Sequence, residues 1–154
     1  EIKLQEDTIL VATVPEKVII EDERIAEGIL IQNVDSFEII KKQIESTSFR
    51  FRINSALPLG PDIETMKLVC RYLQSNPNAQ LYTIGHTCNT GSHTANYQLG
   101  LDRAIMAKRA FIKLGAPAKQ VTAVSKSSDI PLVPNTTEEN RIQNRRVEFK
   151  LVRQ

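Results

Sequence analysis

Apolar and basic residues alternate through residues 48–54 (SFRFRIN), the two-residue period of a strand with one buried face. Leu59-Gly60-Pro61 breaks that pattern and places a proline at a helix start, with Asp62 and Glu64 in the first turn. Ile63, Met66, Cys70 and Leu73 then recur at helical spacing, giving one apolar stripe until Ser75-Asn76-Pro77 stops it. Residues 79–84 (AQLYTI) read as a second strand. A longer helix is expected over 94–114, with Leu101, Ala104, Phe111 and Leu114 on one side and Gly115 and Pro117 ending it. Residues 121–125 form a third strand, followed by about twenty residues without a clear period, KSSDIPLVPNTTEENRIQNR. The alternation returns at 146–152, where Val147, Phe149 and Leu151 oppose Arg146, Glu148 and Lys150.

This order, β-α-β-α-β-β, predicts an α/β (α+β) domain: a two-layer sandwich with helices on one face of a mixed sheet. Because each early crossover is helical, the first strands are expected to be parallel neighbours. Ahead of it, 7–14 and 17–21 read as strands around Pro15-Glu16, and 34–45 as a helix with Phe37, Ile40 and Ile44 on one side. The expected division is therefore an acidic β/α extension over 1–47 and the sandwich over 48–154.

Charge sharpens that division. Residues 1–47 hold eleven Asp/Glu against five Lys/Arg, whereas 48–154 hold seven against fifteen. A basic module beside an acidic one calls for an anionic partner or for contact between the two. Nucleic acid is a poor match, because aromatics are only 5% and interleave with no basic run. No apolar run reaches the roughly 20 residues of a membrane span, and no charged-then-apolar leader is present. The chain opens on Glu1 rather than Met, as expected for a processed or partial sequence.

The chemistry concentrates in residues 85–93, GHTCNTGSH, which put His86, Cys88 and His93 close together. Zinc needs three or four converging ligands, and successive side chains at a strand end alternate faces, so a metal site is not expected. A catalytic Cys/His pair lacks an identifiable third, orienting residue. Cys70 lies on an apolar helix stripe and reads as core; a bridge from there to Cys88 is not expected.

Four blocks now bear on family. The segments NSALPLGPD, YLQSNPNAQLYTIGHT followed by NTGS, NYQLGLDRA, and NTTEENRIQNRRVEFKL occur in this order over 48–154. Together they resemble the C-terminal peptidoglycan-binding domain of outer membrane protein A and the peptidoglycan-associated lipoproteins. The resemblance implies a non-enzymatic, cofactor-free clamp in the periplasm, associated with the outer membrane, that grips the diaminopimelate of the peptidoglycan stem peptide. Other envelope proteins are further candidate partners; nucleic acid is not expected, and membrane contact is expected only through a region or partner outside these residues. Such a zwitterionic ligand needs an anion for its ammonium and a guanidinium for its carboxylate.

Carried over by motif, the guanidinium is Arg103 and the helix-start asparagine Asn96. Asn54 matches a pocket asparagine, and Thr87, Asn89, Thr90 and Gly91 match the binding loop. Arg145 and Arg146 match the closing arginine pair, one of which supports the pocket. Two positions depart from the family: its serine is Gly100, and the aspartate of its GHTD loop is Cys88. A thiol with an ordinary pKa of about 8.5 is mostly neutral at pH 7 and does not replace a fixed carboxylate. The alternative is thus a scaffold that keeps the fold, has lost the usual ligand and contacts protein through its basic surface. A reactive or redox thiol at Cys88 is a third, more distant reading.

Overall fold

The computed structural model describes residues 36–52, 54, 58–59 and 62–154. The strands expected within the first 35 residues lie outside the described residues, as does the Gly60-Pro61 break. A compact unit runs over Ser36–Gln154. Its elements are α1 (Ser36–Glu45), β1 (Ser48–Phe51), β2 (Pro58–Leu59), α2 (Ile63–Ser75), β3 (Ala79–Gly85), α3 (His93–Lys113), β4 (Val121–Ser125), α4 (Glu138–Asn144) and β5 (Arg146–Arg153).

The five strands form one mixed sheet in the order β2-β1-β5-β3-β4. β3 and β4 are parallel, while β5 runs antiparallel to both β1 and β3. The expected parallel neighbours β1 and β3 are therefore separated by the last strand. β5 earns that central place through its residues: Val147, Phe149 and Leu151 are all buried on one face, while 146–148 pair with β1 and 147–153 with β3. The register sets Arg50 opposite Arg146 and Gly85 opposite Val147. The ends of β1 and β3 and the start of β5 thus meet at one end of the sheet.

The core lies between that sheet and the helices. Phe149 meets Phe49 and Phe111 edge-on, at centroid separations of 4.9 and 5.3 Å. α2 buries Met66, Val69, Cys70, Tyr72 and Leu73, and the Cys70 thiol reaches the Phe111 carbonyl at 3.5 Å. Ile63, expected on this stripe, stays exposed at the helix start. Asp62 caps α2 by accepting from the Thr65 amide at 3.3 Å, and Asn76 ends it. α1, assigned by its acidic surroundings to the extension, belongs to the compact unit. It buries Phe37 and Ile44, sets Phe37 against Tyr72, and holds the Leu151 amide through Glu45.

The segment without a clear period contains α4, capped by Thr137, whose hydroxyl accepts from the Asn140 amide. Asn144, fully buried, accepts from the Leu132 and Val133 amides and donates to the Val133 carbonyl and to Asn135. One side chain therefore satisfies several backbone groups of an otherwise irregular loop.

Candidate functional site

The site grows from the C-terminal end of β3. There α3 approaches the sheet closely, because Gly85 and Gly100 face one another: a β-carbon on Gly85 would stand 1.8 Å from the Gly100 carbonyl oxygen. The Thr83 hydroxyl donates to the Ala104 carbonyl at 2.9 Å and fastens the same two elements. The chain then leaves β3 as the loop 86–92. His86 donates its amide to the Arg146 carbonyl at 2.8 Å, and Thr87 donates to Ser127, a buried residue with φ 49. Gly91 turns the loop at φ 95, a conformation that suits glycine. Ser92 caps α3 by accepting from the Ala95 amide.

The inward stripe of α3 is polar in its first half. Asn96, Gly100 and Arg103 are buried at helical spacing before Ala107 and Phe111 continue into the core. Arg103 is fully buried, donates to the carbonyls of His86 and Arg52 at 3.1 Å each, and lies 5.0 Å over the Phe51 ring. Burial, and next the charge of Arg145, lower its pKa to about 10, with Cys88 acting in the opposite direction. It therefore stays cationic at neutral pH. Asn96 sits two turns earlier, its amide oxygen 4.0 Å from where a β-carbon on Gly91 would stand. Asn54 follows Arg52 closely, exposed and at φ 50.

Cys88 is 4% exposed. Its sulfur lies 3.5 Å from the Thr90 hydroxyl and 3.8 Å from Nη1 of Arg145. Burial pushes the thiol pKa up, but the Thr90 hydroxyl and amide and the Arg145 guanidinium more than offset this, and the net direction is down. The cation in contact with the thiol is thus Arg145. Arg145 also donates to Glu138 at 2.7 Å and to the Phe51 carbonyl at 3.4 Å. Neither Glu138 nor the Arg52 carbonyl was foreseen; Thr137 followed by two glutamates was the available helix-start signal.

Of the predicted residues, Thr87, Cys88, Asn89, Thr90 and Gly91 form the loop, with Asn96, Arg103 and Arg145 beside or beneath it. Asn89, Thr90 and Gly91 are exposed. Arg146 turns elsewhere: its guanidinium bonds Glu148 at 2.7 Å and the carbonyls of Asn144 and Ile130. It lines a groove of about 590 Å³ on the other face of the sheet, with Arg50, Ile84 and Lys150. Cys70 and Cys88 are separate free thiols. His86 is buried, whereas His93 is exposed and pairs with Asp129 at 2.9 Å. Among the described residues no three metal-ligating side chains cluster.

Thr87 Oγ1 and both ring nitrogens of His86 are buried without a hydrogen bond among the described residues, although Nε2 lies 3.4 Å from Glu148. Burial, then the Arg146 charge, lower the His86 pKa from 6.5 to about 4, against a smaller opposing pull from Glu148. A histidine whose folded pKa is depressed stabilises the fold above its unfolded pKa and loses that contribution as pH falls toward the folded value. The separation corresponds to about 3 kcal/mol, since each pKa unit is about 1.36 kcal/mol. Urea midpoints should therefore fall between about pH 6.5 and 4 more steeply in the native chain than in His86→Gln. Parallel pH profiles for the two chains would remove His86 from the acid response.

The OmpA family model matches residues 51–145. The chain is 33% identical over 101 residues to the probable lipoprotein YiaD of Escherichia coli (strain K12), covering 66% of this chain and 46% of that protein. It is 33% identical over 99 residues to the peptidoglycan-binding protein ArfA of Mycobacterium tuberculosis (strain ATCC 25618 / H37Rv), covering 64% and 30%. The chain thus spans less than half the length of these curated relatives. Its fold matches the crystal structure of the peptidoglycan-associated lipoprotein from Burkholderia pseudomallei with a TM-score of 0.63 at 28% identity, covering 68% of this chain and 89% of that one. Among the described residues no helix is long and apolar enough to cross a membrane. Matched over most of its length by the model, and built as a mixed sheet with its arginine-floored loop at one end, the chain belongs to the OmpA family.

Proposed function

We propose that this domain attaches an envelope protein or complex to peptidoglycan, non-covalently and without catalysing a reaction, by gripping the diaminopimelate of the stem peptide at the 87–91 loop. The observation that carries this reading is the gathering of Arg103, Asn96 and that loop at one end of the sheet. Arg103 offers a planar donor suited to a carboxylate, held by two carbonyls and an aromatic face. Asn96 brings both a donor and an acceptor, and the exposed Asn89, Thr90 and Gly91 bring backbone groups within reach of a ligand. ArfA and the Burkholderia lipoprotein are both named for peptidoglycan, which supports peptidoglycan as the partner; the setting proposed with it is periplasmic and associated with the outer membrane.

A second reading has one specific observation behind it. Residue 88 is a buried thiol engaged with Arg145, where a zwitterionic ligand calls for a fixed anion. On that reading the domain is a scaffold whose basic surface meets another envelope protein. Co-sedimentation with purified diaminopimelate-type sacculi separates the two. The native chain should pellet with the sacculi, and Arg103→Lys, which keeps the charge but loses the two-pronged donor, should bind about tenfold more weakly, with its circular dichroism spectrum checked for a retained fold. A native chain that stays in the supernatant until Cys88→Asp is introduced would favour the scaffold.

A further inference from the structure

We infer that Glu138 is a positioning residue for the binding loop: from the first turn of α4 it fixes Arg145 against Cys88, supplying the carboxylate that residue 88 does not. The inference rests on the proposed function for its consequence, but not for its geometry.

Arg145 is 4% exposed and joins three separate segments. Its Nη2 reaches Glu138 at 2.7 Å, its Nε the Phe51 carbonyl at the end of β1, and its Nη1 the Cys88 sulfur in the loop. Of these acceptors only Glu138 carries a full fixed charge. The carbonyl is neutral, and the thiol carries charge only in so far as it ionises. A guanidinium taken out of water needs a compensating anion as well as hydrogen bonds. At this position the anion comes from outside the loop, with the Arg145 end of the pair 5% exposed and the Glu138 end 49% exposed.

Glu138 is itself oriented. Arg141 donates to its other carboxylate oxygen at 2.9 Å, and also to the Asn135 carbonyl at 3.2 Å. The bonds from Arg145 and Arg141 hold its carboxyl below the ordinary carboxylate value, so it remains ionised at neutral pH. The polar helix that follows the irregular segment therefore has a task at the site: it carries the counter-ion for the arginine that braces the loop. Nothing in the 85–93 motif reveals this, because the partner lies 50 residues beyond Cys88 in the chain.

The test is a double-mutant cycle between Glu138→Ala and Cys88→Asp. Two readouts serve: affinity for a diaminopimelate-containing muropeptide, and amide exchange at residues 87 and 88, with the 104–111 amides as a control for global opening. In the native background Glu138→Ala should weaken binding and speed loop exchange, each by about tenfold. With aspartate at 88 the new carboxylate takes over Arg145, and both effects should shrink to less than about twofold. Equal losses in the two backgrounds would overturn the inference and leave Glu138 as a helix-start residue only. Unchanged exchange in both would show that Arg145 does not depend on it. If neither background binds muropeptide while the exchange pattern holds, the peptidoglycan reading fails and the positioning role stands.

Discussion

Gly85→Ala should lower stability by more than about 3 kcal/mol, the upper end of ordinary overpacking, and depress the melting temperature by on the order of 10 °C. The added methyl would stand 1.8 Å from the Gly100 carbonyl oxygen and 2.6 Å from its carbon. Both atoms belong to the backbone of α3, so no side-chain rotation relieves the overlap. The helix itself must move off the sheet. That movement would draw Arg103, one turn further along α3, away from the His86 carbonyl it now binds at 3.1 Å. Gly100→Ala makes a useful contrast. Its methyl meets the Ser125 hydroxyl oxygen at 2.4 Å, which can rotate away, and the Gly85 carbonyl oxygen at 3.1 Å. The cost there should stay near 1–2 kcal/mol. Equilibrium urea unfolding of both variants reads the difference directly. Similar stabilities would mean that helix and sheet do not approach this closely at Gly85.

Cys88→Asp should tighten binding of a diaminopimelate-containing muropeptide between about tenfold and a hundredfold. A hydrogen bond to a charged partner contributes about 1.5–3 kcal/mol. The native thiol supplies only part of this, because its ionisation is favoured by Thr90 and Arg145 but opposed by burial. An aspartate at 88 would be ionised throughout the neutral range, opposite the ligand's ammonium and within reach of the Arg145 guanidinium. The native chain should also bind more tightly as pH rises through the thiol's ionisation, whereas the Cys88→Asp chain should show no such rise. Isothermal titration at several pH values checks both statements. A gain that vanishes at high pH would agree with a thiolate acting as the native anion; no gain at any pH would remove residue 88 from the ligand's surroundings.

The parts of the fold that announced themselves were those with one apolar face. β5 alternates Val147, Phe149 and Leu151 with polar residues, and α2 carries Met66, Cys70 and Leu73 on one side, so both were legible from spacing. Pairing was not, because alternation states which face is buried and not which neighbour covers each edge. That is why β5 between β1 and β3 could not be read from the order of the elements. α4 was invisible for a different reason: of its seven residues only Asn144 is buried, so no apolar stripe exists. Two-residue β2 is too short to show any period.

The site divided in the same way. Loop residues 87–91 and Arg103 were found through the family's motifs, since their positions in those blocks carry the resemblance. The inner stripe of α3 defeats a hydrophobic reading at Asn96, Gly100 and Arg103, which are buried although polar or without a side chain. Arg145 and Arg146 are adjacent in sequence and alike in type. Only the alternation of β5 and the position of Glu138 assign one to the loop and the other to the opposite groove.

The most direct measurement of the central claim is a pair of titrations of the native chain with two muropeptides that differ only at the third stem residue, diaminopimelate in one and lysine in the other. Lysine keeps the side-chain ammonium and lacks the second carboxylate, the group that the proposed function assigns to Arg103. The diaminopimelate form should bind saturably and the lysine form at least about tenfold more weakly. Arg103→Lys should erase most of that preference. Equal affinity for the two muropeptides, or a preference for the lysine form, would contradict the account.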